Sequence, residues 1–186
     1  MTPELLESLL QGARETDAVE FKAAISWNRD LFVKDILAMA NVVDGGAIIV
    51  GVEDGTFARQ GLSTEQLATY EPDVMRDQVE PFADPRVIFT FSVVADGNGL
   101  KFGVLEVAPF DDIPVICARD GRDVEAGTVY FRSRSRRPES ARVKRSADMR
   151  EIIESAVARR SRALRRIGFV PEQQVPYDFD SELGGL

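Results

Sequence analysis

The spacing of apolar residues along the chain alternates between a helical period and a strand period. Residues 3–11, the segment after Asn28 and residues 147–167 repeat apolar positions every three to four residues, which predicts amphipathic helices. Asn28 stands at the expected N-cap, and Asp44-Gly45-Gly46 stands where the second helix is expected to end. A further helix is predicted over residues 64–82, with a break or a new start at Pro72.

Strand patterns fill the segments between these helices. Residues 18–24 alternate apolar and polar positions, and residues 47–52 (AIIVGV) are apolar on both faces, as in the central strand of a sheet. Two further strands, 87–94 and 100–107, are predicted to form a hairpin joined by ADGNG. Two shorter strands, 114–118 and 128–132, are expected to pair around RDGRDVEAG.

These elements predict an α+β fold in which helices pack on a mixed or antiparallel sheet. Residues 1–167 are expected to form one domain. Residues 168–186 contain two prolines and no helical period, and they are predicted to be an extended C-terminal tail. The tail is expected to lie across a neighbouring subunit or to add to a sheet edge, giving a homo-oligomer; the alternative is that it folds back on its own domain.

Composition narrows the class of protein. The 186 residues are 44% hydrophobic and 29% charged, which is typical of a soluble globular chain, and no stretch reaches the roughly 20 apolar residues that cross a bilayer. The acidic N-terminus and the single cysteine, Cys117, favour a cytoplasmic location with no membrane partner. There is no histidine and no GxxxxGK[ST] loop, so histidine catalysis, histidine metal ligands and a P-loop ATPase are excluded.

Charge is distributed unevenly along the sequence. The net charge is −8, yet residues 132–166 hold 13 basic residues and only 4 acidic ones. This asymmetry predicts a basic surface on an acidic protein, or alternatively a solvated helix whose arginines pair with the acidic body.

Three segments together resemble the Schlafen-type AlbA-like domain. They are ETDAVEFK (15–22), ANVVDGGAIIVGVEDG (40–55) and GTVYFRSRSRRPES (127–140), and the resemblance extends over about residues 13–160. It implies a module that binds nucleic acid. The order and spacing of the EFK, GG and GVED elements carry this resemblance, since none of them is specific alone.

Some members of that family have a ribonuclease centre of three carboxylates, and the resemblance places it at Glu15, Glu20 and Asp54. Converging carboxylates of this kind would bind Mg²⁺ or Mn²⁺ and activate water. The alternative interpretation is that these are strand-end acids that cap turns or pair with arginine.

Arginine and serine after the predicted strand 128–132 suit contact with phosphate groups. The predicted nucleic-acid-binding residues are Lys22, Arg132, Arg134, Arg136, Arg137, Arg142 and Lys144, with the arginines of the last helix as an extension of the same surface. An edge strand kept charged to prevent pairing is the alternative interpretation of the arginines.

The leading hypothesis is a non-enzymatic AlbA-like module that binds the backbone phosphates of DNA or RNA without sequence readout, as a homo-oligomer. A ribonuclease that depends on a divalent metal is the second hypothesis. The third is an assembly subunit, for example of a phage particle, in which the segregated acidic and basic residues make neighbouring subunits complementary.

Overall fold

The structure is a computed structural model that describes residues 1–12, 14–132 and 138–169. The described residues contain five α-helices: α1 (Pro3–Gly12), α2 (Arg29–Ala40), α3 (Thr64–Leu67), α4 (Pro72–Val79) and α5 (Ser146–Arg166). A short 3-10 helix, Glu80–Phe82, follows α4. The strands are β1 (Val19–Lys22), β2 (Gly46–Val50), β3 (Ala83–Asp84), β4 (Phe89–Ala95), β5 (Lys101–Val107), β6 (Ile116–Cys117), β7 (Tyr130–Arg132) and β8 (Ser140–Arg142).

A four-stranded sheet in the order β1-β2-β5-β4 forms the centre of the fold. β1 runs parallel to β2, whereas β2 with β5 and β5 with β4 are antiparallel, so the sheet is mixed. β3 pairs with β6, and β7 with β8, as two small separate sheets. The predicted α+β class is therefore confirmed, as is the hairpin between β4 and β5.

Both faces of the central sheet are covered by helices, which explains why β2 is apolar throughout. Ile48 and Val50 belong to the larger core with α2, while Ile49 packs in a smaller core with Leu6 and Leu10 of α1. Burial of apolar area on both faces supplies the main favourable free energy of folding, at about 25 cal/mol per Å². A strand in this position has no solvent-facing side to keep polar.

The helix boundaries agree with the sequence at one end of α2 and differ at the other. Asn28 is the N-cap and accepts a hydrogen bond from the Asp30 N–H, as predicted. The helix ends at Ala40, before Asp44-Gly45-Gly46. Gly45, in the turn between α2 and β2, has a φ of 73°. A Cβ at Gly45 would lie 2.2 Å from the Val107 carbonyl oxygen, so this position requires glycine. Pro72 opens α4, as predicted.

Asn41, the C-cap of α2, corrects the predicted pairing of residues 114–118 with 128–132. Its buried side-chain amide donates to the carbonyls of Val115 and Tyr130, both at 2.9 Å, and its oxygen accepts the Val115 N–H at 2.8 Å. The two segments exchange direct backbone bonds only where Cys117 meets Gly127 and Thr128. Because the Asn41 amide is inserted between them further along, β6 pairs with β3 and β7 with β8 instead.

Most of the predicted tail, residues 170–186, lies outside the described residues. Gly168, with φ of 80°, ends α5 in a left-handed conformation. Across the described ranges, no helix has both the length and the apolar character needed to cross a membrane.

Replacing Asn41 by alanine should lower the free energy of unfolding by about 2–4 kcal/mol, because it leaves several buried backbone groups of Val115 and Tyr130 without partners. Urea denaturation measures this loss. The matched control is Asn98→Ala in the exposed β4–β5 turn, where a change within about 0.5 kcal/mol is expected. Equal losses in the two variants would contradict the bridging role of Asn41.

Candidate functional site

One groove receives all three carboxylates predicted to be catalytic. It has a volume of about 590 Å³ and runs past β1, α2 and the start of β8. Its lining carries two lysines, Lys22 and Lys34, and seven carboxylates, those of Glu15, Glu20, Asp30, Asp35, Asp54, Asp123 and Glu139. The structure therefore brings Glu15, Glu20 and Asp54 to a common surface, which is strongly acidic.

The alternation of β1 explains how two of the groove residues are positioned. Val19 and Phe21 are buried in the smaller core, so Glu20 and Lys22 point to the opposite face, as the sequence predicted. Asp54 follows β2 in an exposed turn. The Glu15 carboxylate lies beside β1 and accepts the Phe21 N–H at 3.3 Å, so it satisfies a backbone donor on the outer edge of that strand.

Four charged side chains form a partly buried network at the base of this groove. Arg132 Nη1 lies 2.6 Å from Glu20 Oε2, and Lys22 Nζ lies 2.7 Å from Asp35 Oδ2 and 3.6 Å from Glu20 Oε1. The network connects β7, β1 and α2. Its two acids and two bases balance, which is the condition under which charges are tolerated inside a protein.

The network changes the protonation behaviour of two of its members. Burial of the carboxyl, reinforced by the charge of Asp35, raises the pKa of Glu20 to about 7, against the opposite effects of Arg132 and Lys22. Burial alone would lower the pKa of Lys22, but the carboxylates of Asp35 and Glu20 raise it. Lys22 therefore stays protonated at neutral pH, while Glu20 is close to its titration midpoint.

Arg132 was predicted to contact phosphate, and the structure gives it a different environment. Its side chain is fully buried, and besides Glu20 it donates to the carbonyls of Thr16 (3.0 Å) and Val19 (3.2 Å) and to Ser140 Oγ (3.2 Å). Because the guanidinium of Arg132 has no accessible surface, it cannot contact a phosphate as predicted. Its role is structural, since its hydrogen bonds join β7 to the outer edge of β1.

A divalent ion needs several oxygen ligands around one point. Among the residues that the structure describes, no three carboxylates lie close enough together to hold a metal. Glu20 is already bound by Arg132 and Lys22, Glu15 accepts a backbone amide, and Asp54 lies in an exposed turn. The donor set does not fit Mg²⁺ or Mn²⁺, and the ribonuclease centre remains a prediction from the resemblance alone.

The remaining predicted nucleic-acid contacts have varied surroundings. Lys22 is mostly buried and paired with Asp35. Arg142 is half exposed and forms a surface ion pair of 2.5 Å with Glu125, and Lys144 is exposed just after β8. Arg134, Arg136 and Arg137 lie outside the described residues.

The C-terminal half of α5 carries five arginines. Arg159, Arg162 and Arg166 line a shallow groove of about 550 Å³ opposite Asp111 and Asp112. Arg159 also stacks over the Phe110 ring at 5.3 Å, which anchors the helix to the domain, and Arg160 pairs with Asp112 at 2.5 Å.

No acidic residue occurs between positions 155 and 169, and in the part of the chain that the structure describes, the carboxylates lining the groove with these arginines are those of Asp111 and Asp112. Arg162, Arg165 and Arg166 are exposed, and within the described ranges none of the three forms an ion pair.

Sequence reasoning missed two residues that organise the site. Asp35 lies in the apolar stretch of α2 and is buried, and only its position between Phe32 and Met39 on the core side of a helix indicates a paired acid. Asn41 gives a similar signal in the sequence, since it directly follows the apolar run ILAMA. In the structure Asn41 is 1% exposed.

Comparisons with known proteins identify a matching family and similar folds. Residues 15–139, about two thirds of the chain, match the sequence model of the Schlafen AlbA_2 family. Fourteen chains of solved structures match the fold, among them the crystal structure of the DIP2311 protein from Corynebacterium diphtheriae, with a TM-score of 0.51 and 20% identity. That alignment covers 78% of this chain but 27% of the DIP2311 chain, and at this identity it concerns the fold alone. No curated protein sequence matches the chain.

Arg132→Ala should destabilise the protein by about 3–5 kcal/mol, because it leaves the Glu20 carboxyl partly buried without its main partner. Chemical denaturation at neutral pH measures the change. The matched control is Arg142→Ala, which removes an exposed pair and should cost about 1 kcal/mol or less. If the two variants are equally stable, Arg132 does not have the structural role described.

The stability of the protein should depend on the protonation of Glu20. Its pKa is raised from 4.5 to about 7 in the folded state, so the folded protein holds a proton that the unfolded chain releases between these values. Stability from this group is therefore complete below about pH 4.5 and is lost as the pH rises through 7. Between pH 5 and 8, the stability of the parent relative to Glu20→Gln should fall by on the order of 2–3 kcal/mol. A difference that stays constant across this range would exclude the shift.

Proposed function

We propose that this chain, which belongs to the Schlafen AlbA_2 family, binds the phosphate backbone of DNA or RNA through β8 and α5, without sequence readout and as an oligomer. The contacting residues are Arg142, Lys144, Arg162, Arg165 and Arg166, which we call the basic surface. The observation that carries the proposal is the exposed C-terminal half of α5, where no acidic residue offsets the arginines within the helix.

The chemistry of the basic surface suits a phosphodiester backbone. Guanidinium groups donate paired N–H bonds to phosphate oxygens, and binding releases condensed counterions from the nucleic acid. Arg165 and Arg166 are exposed in the last turn of the helix, where cations also interact favourably with the helix dipole. Both side chains are exposed, and within the described ranges neither forms an ion pair.

The dimensions of α5 fit a double-stranded partner. With 21 residues the helix is about 30 Å long, close to the roughly 34 Å of one turn of duplex. Arg142 and Lys144 precede its first turn, and Arg162, Arg165 and Arg166 lie near its end. Contacts at both ends of α5 would bind the phosphates of one duplex turn. They would give no sequence specificity, because phosphate contacts alone carry no sequence information.

The acidic groove near β1 takes no part in this binding. Its seven carboxylates repel phosphate, and Lys22 within it is already paired with Asp35. Glu15, Glu20 and Asp54 therefore lie on the acidic surface, and phosphate binding belongs to the basic surface.

The test measures binding of labelled single-stranded and duplex DNA and RNA over a range of salt concentrations. Removing three charges in Arg162→Ala/Arg165→Ala/Arg166→Ala should weaken binding and reduce the slope of log K against log salt by roughly 0.7–0.9 for each lost contact. The matched control, Arg14→Ala/Lys101→Ala/Arg122→Ala, removes three exposed charges elsewhere and should leave most of the slope intact.

Affinity should be the same for probes of scrambled sequence. An equal slope in the two triple variants would show that net charge alone governs the interaction, which contradicts a defined basic surface. If the parent protein has no salt-dependent affinity for any probe, the assembly-subunit hypothesis becomes the better one. Cleavage of the RNA probe in Mg²⁺ or Mn²⁺ would favour the ribonuclease hypothesis.

A further inference from the structure

The outer edge of β4 exposes backbone groups that the sheet does not use. The Ile88 carbonyl accepts from Ala108 and the Asp96 N–H donates to the Leu100 carbonyl, so the even-numbered residues in this strand make the bonds to β5. The N–H and C=O groups of Phe89, Phe91, Val93 and Ala95 therefore point away from the sheet. Within residues 1–12, 14–132 and 138–169, none of them has a hydrogen-bond partner.

The opposite edge of the same sheet is covered. On β1, Glu15 accepts the Phe21 N–H and Arg132 donates to the Val19 carbonyl. β4 carries no such protection, and its sequence FTFSVVA contains neither a charge nor a proline, the residues that usually keep an edge from pairing.

A groove runs along the first half of this edge. It has a volume of about 830 Å³ and lies between α4, with Pro72, Arg76 and Val79, and residues 86–91 of the β4 segment. Phe89 and Phe91 face the larger core on this side of the sheet. A strand added to β4 would thus place every second side chain beside these phenylalanines, in a groove whose α4 side also carries the charged Asp73, Arg76 and Asp77.

We infer that this edge binds residues 175–180 of a second copy of the chain as an antiparallel fifth strand. The segment reads VPYDFD, with apolar Val175, Tyr177 and Phe179 alternating with Pro176 and two aspartates. This alternation matches a strand that is apolar on one face, which is how extended segments bind sheet edges. The inference does not depend on nucleic-acid binding.

The position of Pro176 selects the antiparallel direction. In an antiparallel pair, the residues that bond to the outward-facing positions of β4 place their side chains on the same face as Phe89 and Phe91. With Val175, Tyr177 and Phe179 opposite Val93, Phe91 and Phe89, Pro176 has its nitrogen turned to solvent, where the missing N–H costs nothing. In a parallel pair with the same apolar face inward, Pro176 would face β4 and lose a bond.

The tether length selects a second copy over the chain's own tail. α5 ends near the loop of Asp111 and Asp112, because Arg166 in its last turn lines a groove with these two residues. The same loop shares a cavity with residues 85–88 at the start of β4. An antiparallel strand must enter at the other end, by Val93, about 17 Å further along. Residues 170–174 span at most about 18 Å, which leaves no length for the distance from α5 or for the reversal.

Cysteine cross-linking in the full chain tests the pairing. Val93→Cys and Val175→Cys are prepared as separate single variants, mixed and oxidised; opposed Cα atoms about 5.5 Å apart lie within disulfide range. The expected product is a covalent dimer with one copy of each variant. The control pair, Val157→Cys on the exposed side of α5 with Val175→Cys, should give none. Cross-linking in the control pair, or Val93→Cys dimers formed without the partner variant, would overturn the inference.

Particle mass by light scattering gives an independent readout. The parent should contain at least two copies per particle, and Tyr177→Asp/Phe179→Asp should contain one, because the new carboxylates would be buried against Phe91 and Phe89 without a matching loss of other charge. Asp178→Ser/Asp180→Ser changes the outward face and should keep the parent mass. A parent of one copy, or equal masses for the parent and the tyrosine–phenylalanine variant, refutes the assignment.

Discussion

The rest of the structure depends on one buried ion pair, between Arg132 and Glu20. These residues are 112 positions apart, and the pair attaches the β7–β8 hairpin to the first strand of the central sheet. The same guanidinium satisfies two carbonyls beside that strand, so a single side chain both joins two parts of the fold and seals a sheet edge. Removing such a charge from water is costly, and only a nearly complete set of partners makes it tolerable.

The ion pair also connects two of the motifs that carry the family resemblance. Glu20 and Lys22 come from the EFK segment, whereas Arg132 opens the arginine segment. Their common function in this chain is to hold one charge network together with Asp35. A motif shared by a family can therefore reflect what the fold needs to be stable. Arg132 is buried, whereas arginines of α5 are accessible to a ligand.

Periodicity in the sequence was sufficient for the elements that bury a whole face or stripe. It placed β2 at the centre of the sheet, put Glu20 and Lys22 on one face of β1 and identified Asn28 as an N-cap. The grouping of Glu15, Glu20 and Asp54 came from the family resemblance. Periodicity indicates which face of an element a residue occupies, whereas its burial depends on what packs over that face. The burial of Arg132 therefore left no periodic signal, and that of Asp35 was indicated only by its place on the core side of α2. The strand partners of β6 and β7 depend on the Asn41 side chain, which leaves no periodic signal.

The two edges of the central sheet are protected unequally, and this limits how copies of the domain can pair through their sheets. Extension of a sheet by edge-to-edge pairing requires two open edges on every copy, as in cross-β fibrils. Here one edge is capped by Glu15 and Arg132, so any copy that pairs through β4 has no second edge to offer. Direct pairing of one central sheet with another therefore ends at two copies, with β4 beside β4, and cannot extend into a continuous sheet.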